Sequence, residues 1–138
     1  MLYISTSNGI LSFDPHTSNN SIIMDNGYRG GWLFGKKSHG YFGICYSTEI
    51  ERILVSSREK LGTRKCGKPT TDCGIHAIDP ETGDFETIAY VRDVHDVHQI
   101  DVCGKQVLLT DTGKNRVVVY DIDTDEVSKI INIGKQRK

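Results

Sequence analysis

The clearest strand pattern in the chain is the segment "VLLTDTGKNRVVVYDIDTDEVSKIINI" (107–133). It contains three stretches rich in β-branched residues, which are typical of strands. Two short polar turns separate them and carry Gly, Asn and Asp, the residues that tight turns favour. This segment therefore predicts three consecutive antiparallel strands.

Two earlier parts of the chain repeat this order of strands and turns. They are "LYISTSNGILSFDPHTSNNSIIM" (2–24), and "ILVSSRE" (53–59) followed by "GIHAIDPETGDFETIAYV" (74–91). In all three units an aspartate closes the middle strand, within "FDPHT", "IDPET" and "YDIDT". These are Asp14, Asp79 and Asp121, and the central residues of the preceding strands are Ile4, Val55 and Leu109. Such self-similarity indicates a repeat architecture.

One further strand-like segment precedes the second and the third unit, in "HGYFGICYS" (39–47) and "DVHQIDVCG" (96–104). The complete unit therefore has four strands and a period of about fifty residues, which is typical of a propeller blade. No long segment has a helical period, so the predicted fold class is all-β. We expect one partial propeller domain over 1–138, with blade 1 at about 1–27 without its inner strand, blade 2 at about 30–91 and blade 3 at about 96–134.

The stretch "VLLTDTGKNRVVVYD" (107–121) resembles the NHL-type propeller repeat, whose second and third strands carry an Asp, an Asn-Arg pair and a closing Asp. Asp111, Asn115, Arg116 and Asp121 fall on that pattern, whereas the first two units match it in outline and lack the Asn-Arg pair. The resemblance implies a ring that usually holds six blades. It also implies that a polar pair, here Asp111 and Arg116, ties neighbouring blades together. It implies a fold rather than an activity.

The chain has just under three blades, whereas propellers close with about four to eight. A blade cannot bury both of its faces alone, so an open arc leaves apolar surface at each end. Two copies would supply six blades with two-fold symmetry. We therefore expect a homodimeric six-bladed ring, and the alternative is that the chain is a fragment of a longer propeller.

Bulk properties exclude several classes of protein. The formal net charge is −1, which argues against a general nucleic-acid or membrane-surface binder. No apolar run is long enough to cross a membrane, and the amino terminus lacks the basic region of a signal peptide. We expect a cytoplasmic protein with reduced thiols, in which Cys45 and Cys103 lie buried within strands.

In a propeller, the loop before the inner strand and the loop between the second and third strands open on the same face. Ligands usually bind there, because loops carry function on a rigid scaffold. In this chain that face would hold the basic insertion 58–73 and the stretches before each inner strand. The predicted ligand-binding residues are Arg58, Arg64, Lys65, Lys68, Arg92, His95, His98 and Trp32. Their charge favours an anionic partner, such as a small molecule, a glycan or an acidic protein segment.

The histidines of "DVHDVHQIDV" (93–102) allow a second hypothesis. The stretch His95-Asp96-Val97 is similar to the start of an inner strand in propeller lyases that amidate peptides, which implies a catalytic zinc in the channel. Sulfotransferase-like propellers share a comparable histidine, so the motif does not select a reaction. Two copies of His39 and His98 could also converge in a dimer and bind Zn²⁺ or another divalent ion. The alternatives to a ligand-binding module are therefore a metal-dependent lyase or hydrolase, and a purely structural or interaction module.

The orientation of His98 follows, at the level of sequence, from the alternation of side chains along a strand. Along 97–102 this alternation places Val97, Gln99 and Asp101 on one side. It predicts that His98 lies on the other side, together with Ile100 and Val102.

Overall fold

The computed structural model describes residues 2–5, 9–25, 40–63, 69–94 and 96–134. Within these ranges the chain is all-β apart from one short 3-10 turn at Thr112–Lys114, so the predicted fold class is confirmed. The strands are β1 (Leu2–Ser5), β2 (Gly9–Phe13), β3 (Asn20–Asp25), β4 (Gly40–Ser47), β5 (Arg52–Thr63), β6 (Pro69–Ile78), β7 (Phe85–Val91), β8 (Val97–Cys103), β9 (Gln106–Asp111), β10 (Arg116–Asp121) and β11 (Glu126–Asn132).

The strands form three antiparallel sheets in which strands that follow one another in sequence are also hydrogen-bonded neighbours. Sheet 1 contains β1–β3, sheet 2 contains β4–β7 and sheet 3 contains β8–β11. The first strands of the second and third units, which the sequence predicts at 39–47 and 96–104, are β4 and β8. The three sheets do not close into a ring within one chain.

The register of the strands shows that the three sheets repeat one structure. In each sheet the residue three positions before the closing aspartate pairs with the central residue of the preceding strand. These pairs are Ile4 with Leu11, Val55 with His76, and Leu109 with Val118. The equivalence of Ile4, Val55 and Leu109 that the sequence predicts is therefore confirmed.

The hairpin after the closing aspartate is also built in the same way three times. The aspartate Oδ1 accepts the backbone N–H two residues later, at 2.9 Å for Asp14, 2.8 Å for Asp79 and 3.0 Å for Asp121. Such a bond stabilises a tight turn, and the N–H donors hold the pKa of Asp14 and Asp79 below the usual value. Four residues after each aspartate the backbone has a positive φ, at Ser18, Gly83 and Asp125.

Sheet 1 packs against sheet 2. We call the contacting face of sheet 2 its front face and the contacting face of sheet 1 its back face, and the equivalent faces of the other sheets have the same names. The front face of sheet 2 carries Ile53, Val55 and Ile78, which are at most 1% exposed. These side chains pack in one cluster with Ile10 and with the half-buried Tyr3, both on the back face of sheet 1. The side chain of Tyr41 on β4 belongs to the same buried cluster.

Sheets 2 and 3 repeat this contact one unit further along the chain. The front face of sheet 3 carries Val107, Leu109, Val118 and Tyr120 at the positions equivalent to the front face of sheet 2. These residues share a buried cluster with the back face of sheet 2, represented by Leu54, Ile75, Ala77 and Ala89. The three sheets are therefore stacked front to back.

The first strands of sheets 2 and 3, β4 and β8, lie against each other. The closest approach is at Gly43, where an added Cβ would lie 2.5 Å from the backbone nitrogen of Ile100. Because the obstacle is backbone rather than a movable side chain, the two strands can approach this closely only around a glycine.

We predict that Gly43→Ala destabilises the protein by about 3 kcal/mol, since it forces β4 away from β8. The control is Gly104→Ala, at a turn where nothing lies within 4 Å and the φ is +60°. That variant should lower the free energy of unfolding by only about 1 kcal/mol, because the alanine must adopt a left-handed backbone conformation. Urea denaturation checks both, and equal losses would contradict the close packing of β4 on β8.

Candidate functional site

His98 lies in a β-bulge at the start of β8, and this overturns its predicted orientation. Val97 pairs with Asp111 and Ile100 pairs with Leu109, so one residue of β8 is extra at this point. The bulge turns both His98 and Gln99 outward, while Val97 and Ile100 are buried. His98 therefore does not share the buried face of Ile100, because a bulge interrupts the alternation of side chains.

A hydroxyl on the neighbouring strand holds the bulge in place. Thr110 Oγ1 accepts the N–H of Gln99 and donates to its carbonyl, each at 3.0 Å. β4 has the equivalent bulge, in which Ser56 Oγ accepts the N–H of Gly43 at 3.0 Å. The repeat thus includes the bulge, and His98 in sheet 3 occupies the position that Phe42 occupies in sheet 2.

His98 and Phe42 meet where the two bulges lie side by side. Their rings are 5.7 Å apart between centroids and nearly perpendicular, which is a favourable edge-to-face geometry. His98 Nε2 lies 3.9 Å from Asp96 Oδ1, and the imidazole is 57% exposed. Bulges often direct a side chain toward a functional site. Here the bulge presents an imidazole to solvent beside an aromatic ring.

A network of charged groups links sheet 3 to the connection between β7 and β8. Asp111 is fully buried, and its Oδ2 accepts the Arg116 Nε–H at 2.7 Å. The Arg116 Nη2 donates to the backbone carbonyl of Asp93 at 2.6 Å, and Lys114 Nζ lies 2.5 Å from the Asp93 carboxylate. The expected function of the Asp111–Arg116 pair, to tie neighbouring units together, agrees with this network.

The same connection also contacts sheet 2, because the N–H of Asp93 donates to Asp72 Oδ1 on β6 at 3.3 Å. Asp72 lies near the end of the sheets at which β5 ends and β6 begins, which we call the upper end. The opposite end, with the three aspartate hairpins, is the lower end. His98, Asp93 and the Arg116 network all lie toward the upper end.

The predicted ligand-binding residues are only partly within the described structure. Arg92 is exposed in the connection between β7 and β8, and His98 is exposed in the bulge. Arg58 pairs with Gly40 of β4 and with Cys73 of β6, at the upper edge of the four-stranded part of sheet 2. The remaining predicted residues, Trp32, Arg64, Lys65, Lys68 and His95, lie outside the described ranges.

The basic insertion 58–73 differs from the loop that its sequence suggests. β5 continues to Thr63 and β6 starts at Pro69, so the two strands pair well beyond the end of β7. Sheet 2 therefore carries a long two-stranded hairpin at its upper end.

Charged residues are divided between the two ends of the sheets. At the lower end, where all of the strand connections are described, acidic residues far outnumber Arg52 and Lys105. They are Asp14, Glu49, Glu51, Asp79, Glu81, Asp84, Glu86, Asp121, Asp123, Asp125 and Glu126. The formal net charge of −1 does not show this local excess of negative charge, because it sums over the whole chain.

At the upper end the described residues carry both signs of charge. The basic ones are Arg58, Lys60, Arg92, Lys114 and Arg116, and the acidic ones are Asp25, Glu59, Asp72, Asp93, Asp96 and Asp111. Lys114 and Arg116 are ion-paired with Asp93 and Asp111. Among the described residues the two signs therefore nearly balance at the upper end, whereas acidic residues dominate the lower end.

Two open grooves lie at the lower end, away from these basic residues. One, of about 370 Å³, lies between sheet 1 and the hairpin at Pro80, and Tyr3 and Ile23 contribute to its wall. The other, of about 380 Å³, is lined by Tyr46, Arg52 and the same hairpin. Neither groove contains a residue that the sequence predicts to bind a ligand.

The metal hypothesis stays a prediction, because His39 and His95 lie outside the described ranges. Among the residues that the structure describes, no group of three His, Cys, Asp or Glu side chains could hold a metal ion. Within the same residues, no helix has the length and apolar character that crossing a membrane requires.

A chain of hydrogen bonds crosses sheet 2, and the sequence does not predict it. Ser57 Oγ lies 2.6 Å from His76 Nε2, and His76 Nδ1 lies 2.9 Å from Thr87 Oγ1. Ser57 and His76 are 2% and 4% exposed, whereas Thr87 is exposed at the outer strand. The chain joins β5, β6 and β7, and such a network stabilises the sheet that contains it.

The cysteines differ from their predicted burial. Cys103 is exposed rather than buried, because it ends β8 beside the turn at Gly104. Cys45 is only half-buried, but desolvation and the nearby Asp101 raise the pKa of its thiol to about 12. Cys45 therefore remains a neutral thiol at physiological pH.

Comparison with known proteins adds no assignment: no family model matches the chain, and no curated protein has significant sequence similarity to it. The function is therefore argued from the geometry and charge of the molecule itself.

We predict that Asp111→Ala destabilises the protein by about 3–5 kcal/mol, because it leaves the nearly buried Arg116 without its carboxylate. The control is Asp123→Ala in the same sheet, which removes an ion pair with Lys105 whose side chains are 57% and 53% exposed. That variant should leave the free energy of unfolding almost unchanged, since exposed pairs contribute little. Chemical denaturation compares the two, and a small effect of Asp111→Ala would show that the Arg116 network does not hold the sheets together.

Proposed function

We propose that the three sheets are blades of an NHL-like β-propeller, and that this module binds an anionic ligand at its upper end. Three observations support the propeller: the four-stranded meander, the front-to-back stacking and the side-by-side first strands β4 and β8. Adjacent blades of a propeller are related in this way around a central channel.

The observation that carries the ligand proposal is the strongly acidic lower end, opposite an upper end at which Arg92 and His98 are exposed. A surface with one sign of charge attracts ligands of the opposite sign and raises their rate of association. The acidic lower end therefore repels an anion, whereas Arg92 and the predicted basic residues Arg58, Arg64, Lys65 and Lys68 can bind one. Arginine and lysine bind phosphate, sulfate and carboxylate groups through charge-assisted hydrogen bonds.

The exposed side chains at the upper end narrow the chemistry of the ligand. Arg92 offers a cationic donor, and His98 offers a ring nitrogen beside the ring of Phe42. A sulfated or phosphorylated sugar combines these properties, because its ring can pack on the aromatic edge while its anionic groups contact the basic hairpin. The probe of choice is therefore a sulfated oligosaccharide.

We predict that replacing Arg58, Arg64, Lys65 and Lys68 together with Ala weakens binding of a heparin oligosaccharide at least about tenfold, which corresponds to about 1.4 kcal/mol. Binding by the unmodified protein should also weaken with added salt, since exposed charges are screened. Isothermal titration calorimetry with a neutral dextran of equal length as the reference ligand measures both effects.

The matched control replaces Arg52 and Lys105, the basic residues of the described lower end, with Ala. This variant removes positive charge from the opposite end of the sheets and should bind the probe as tightly as the unmodified protein. Equal affinity of the quadruple variant and the unmodified protein would overturn the proposal, as would an equal loss in the control variant.

A further inference from the structure

The front face of sheet 1 is apolar and largely exposed. Leu2, Ile4 and Ile22 are 54%, 46% and 65% exposed, and their pairing partners Leu11 and Phe13 complete the same face. By register Leu2, Ile4 and Phe13 correspond to Ile53, Val55 and Ile78 of sheet 2, which are at most 1% exposed because sheet 1 covers them. Ile22 corresponds to Thr87, which is exposed at the outer strand of sheet 2. Within the described part of the chain, the face around Leu2 and Ile4 therefore lacks the neighbouring sheet that covers its equivalent in sheet 2.

The back face of sheet 3 is only partly covered by the described residues, although Val119 on this face is 6% exposed. Leu108 and Val117 are half-buried and Ile131 is 42% exposed. By register these residues correspond to Leu54, Ile75 and Ala89 of sheet 2. Those three are at most 6% exposed, because sheet 3 covers them.

The two uncovered faces have the residue types of the junctions that already exist within the chain. At one back-face position the three sheets carry Ile10, Ile75 and Val117, and at another they carry Ser5, Ser56 and Thr110. The front face of sheet 1 carries branched aliphatic and aromatic side chains, as do the front faces of sheets 2 and 3. The back face of sheet 3 in a second copy therefore resembles the surface that covers a front face within one chain. The front face of sheet 1 in the second copy likewise resembles the surface that covers a back face.

From this match we infer that two copies associate front to back, with the front face of sheet 1 on the back face of sheet 3 of the second copy, and reciprocally. Each junction joins two different surfaces, and two-fold symmetry makes both junctions identical. This inference rests on the proposed propeller fold: rings of about four to eight blades close readily, and two copies of the three described sheets supply six. The pairing does not depend on the anionic ligand, so heparin binding and association are tested separately.

The first test is the mass in solution. Sedimentation equilibrium of the full chain should give a dimer of 15.4 kDa subunits. A front variant, Leu2→Lys with Ile4→Lys, and a back variant, Val117→Lys with Ile131→Lys, should each weaken dimerisation at least tenfold. Ile131→Lys alone serves as a milder back variant if Val117→Lys impairs folding, which circular dichroism reports.

The control substitution is Tyr90→Lys on sheet 2. Tyr90 is 55% exposed, similar to Leu2, but it belongs to a sheet whose two faces are already covered within the chain. The control variant should dimerise as strongly as the unmodified protein.

Mixing the front and back variants distinguishes a front-to-back junction from other arrangements. Each variant retains one intact face, so an equimolar mixture should form a heterodimer through one intact junction, and this heterodimer should be tighter than the homodimer of either variant. A monomer of unmodified protein at 100 times the working concentration would overturn the inference. So would a back variant that remains dimeric while the front variant dissociates, because that result indicates a front-to-front contact.

Discussion

The structure depends on the front-to-back contact between sheets. A four-stranded antiparallel sheet with apolar residues on both faces cannot be stable alone in water, because one face always remains exposed. In this chain Ile10 of sheet 1 packs against Val55 of sheet 2, and the same contact recurs when Ile75 of sheet 2 packs with Leu109 of sheet 3. Burial of these aliphatic side chains is the main favourable contribution to folding, at about 25 cal/mol for each Å² of apolar surface.

Polar groups then determine the spacing and orientation of the stacked sheets. The hydroxyls of Ser56 and Thr110 stabilise equivalent bulges, and Gly43 lets β4 approach β8 to backbone distance. Arg116 connects the buried Asp111 to the backbone between β7 and β8. These contacts place His98 and Arg92 at the upper end, so the packing of the scaffold and the position of the candidate site have a common origin.

Much of the fold could be predicted from sequence because its turns have chemical signatures. Asp14, Asp79 and Asp121 mark the same hairpin three times, and counting back from them gives the correct register for Ile4, Val55 and Leu109. The orientation of His98 could not be predicted, since the bulge depends on Thr110 in the partner strand. The acidic lower end could not be predicted either, because it forms only when antiparallel strands bring the loops 14–19 and 79–84 to one end. Prediction therefore succeeded where information is local and failed where it depends on the neighbouring strand.

Stacking of the sheets, association of two copies and ligand binding all depend on the same front-to-back arrangement of the sheets. If the sheets continue front to back from one copy into the next, the upper ends of both copies face the same side of a single ring. The most direct test is small-angle X-ray scattering of the full chain over a concentration series. A closed six-sheet ring should have a radius of gyration of about 19 Å, the value for a compact particle of that size. A radius that keeps rising with concentration would indicate open head-to-tail stacks and contradict closure, and a constant value near 14 Å, as for a compact monomer, would contradict association.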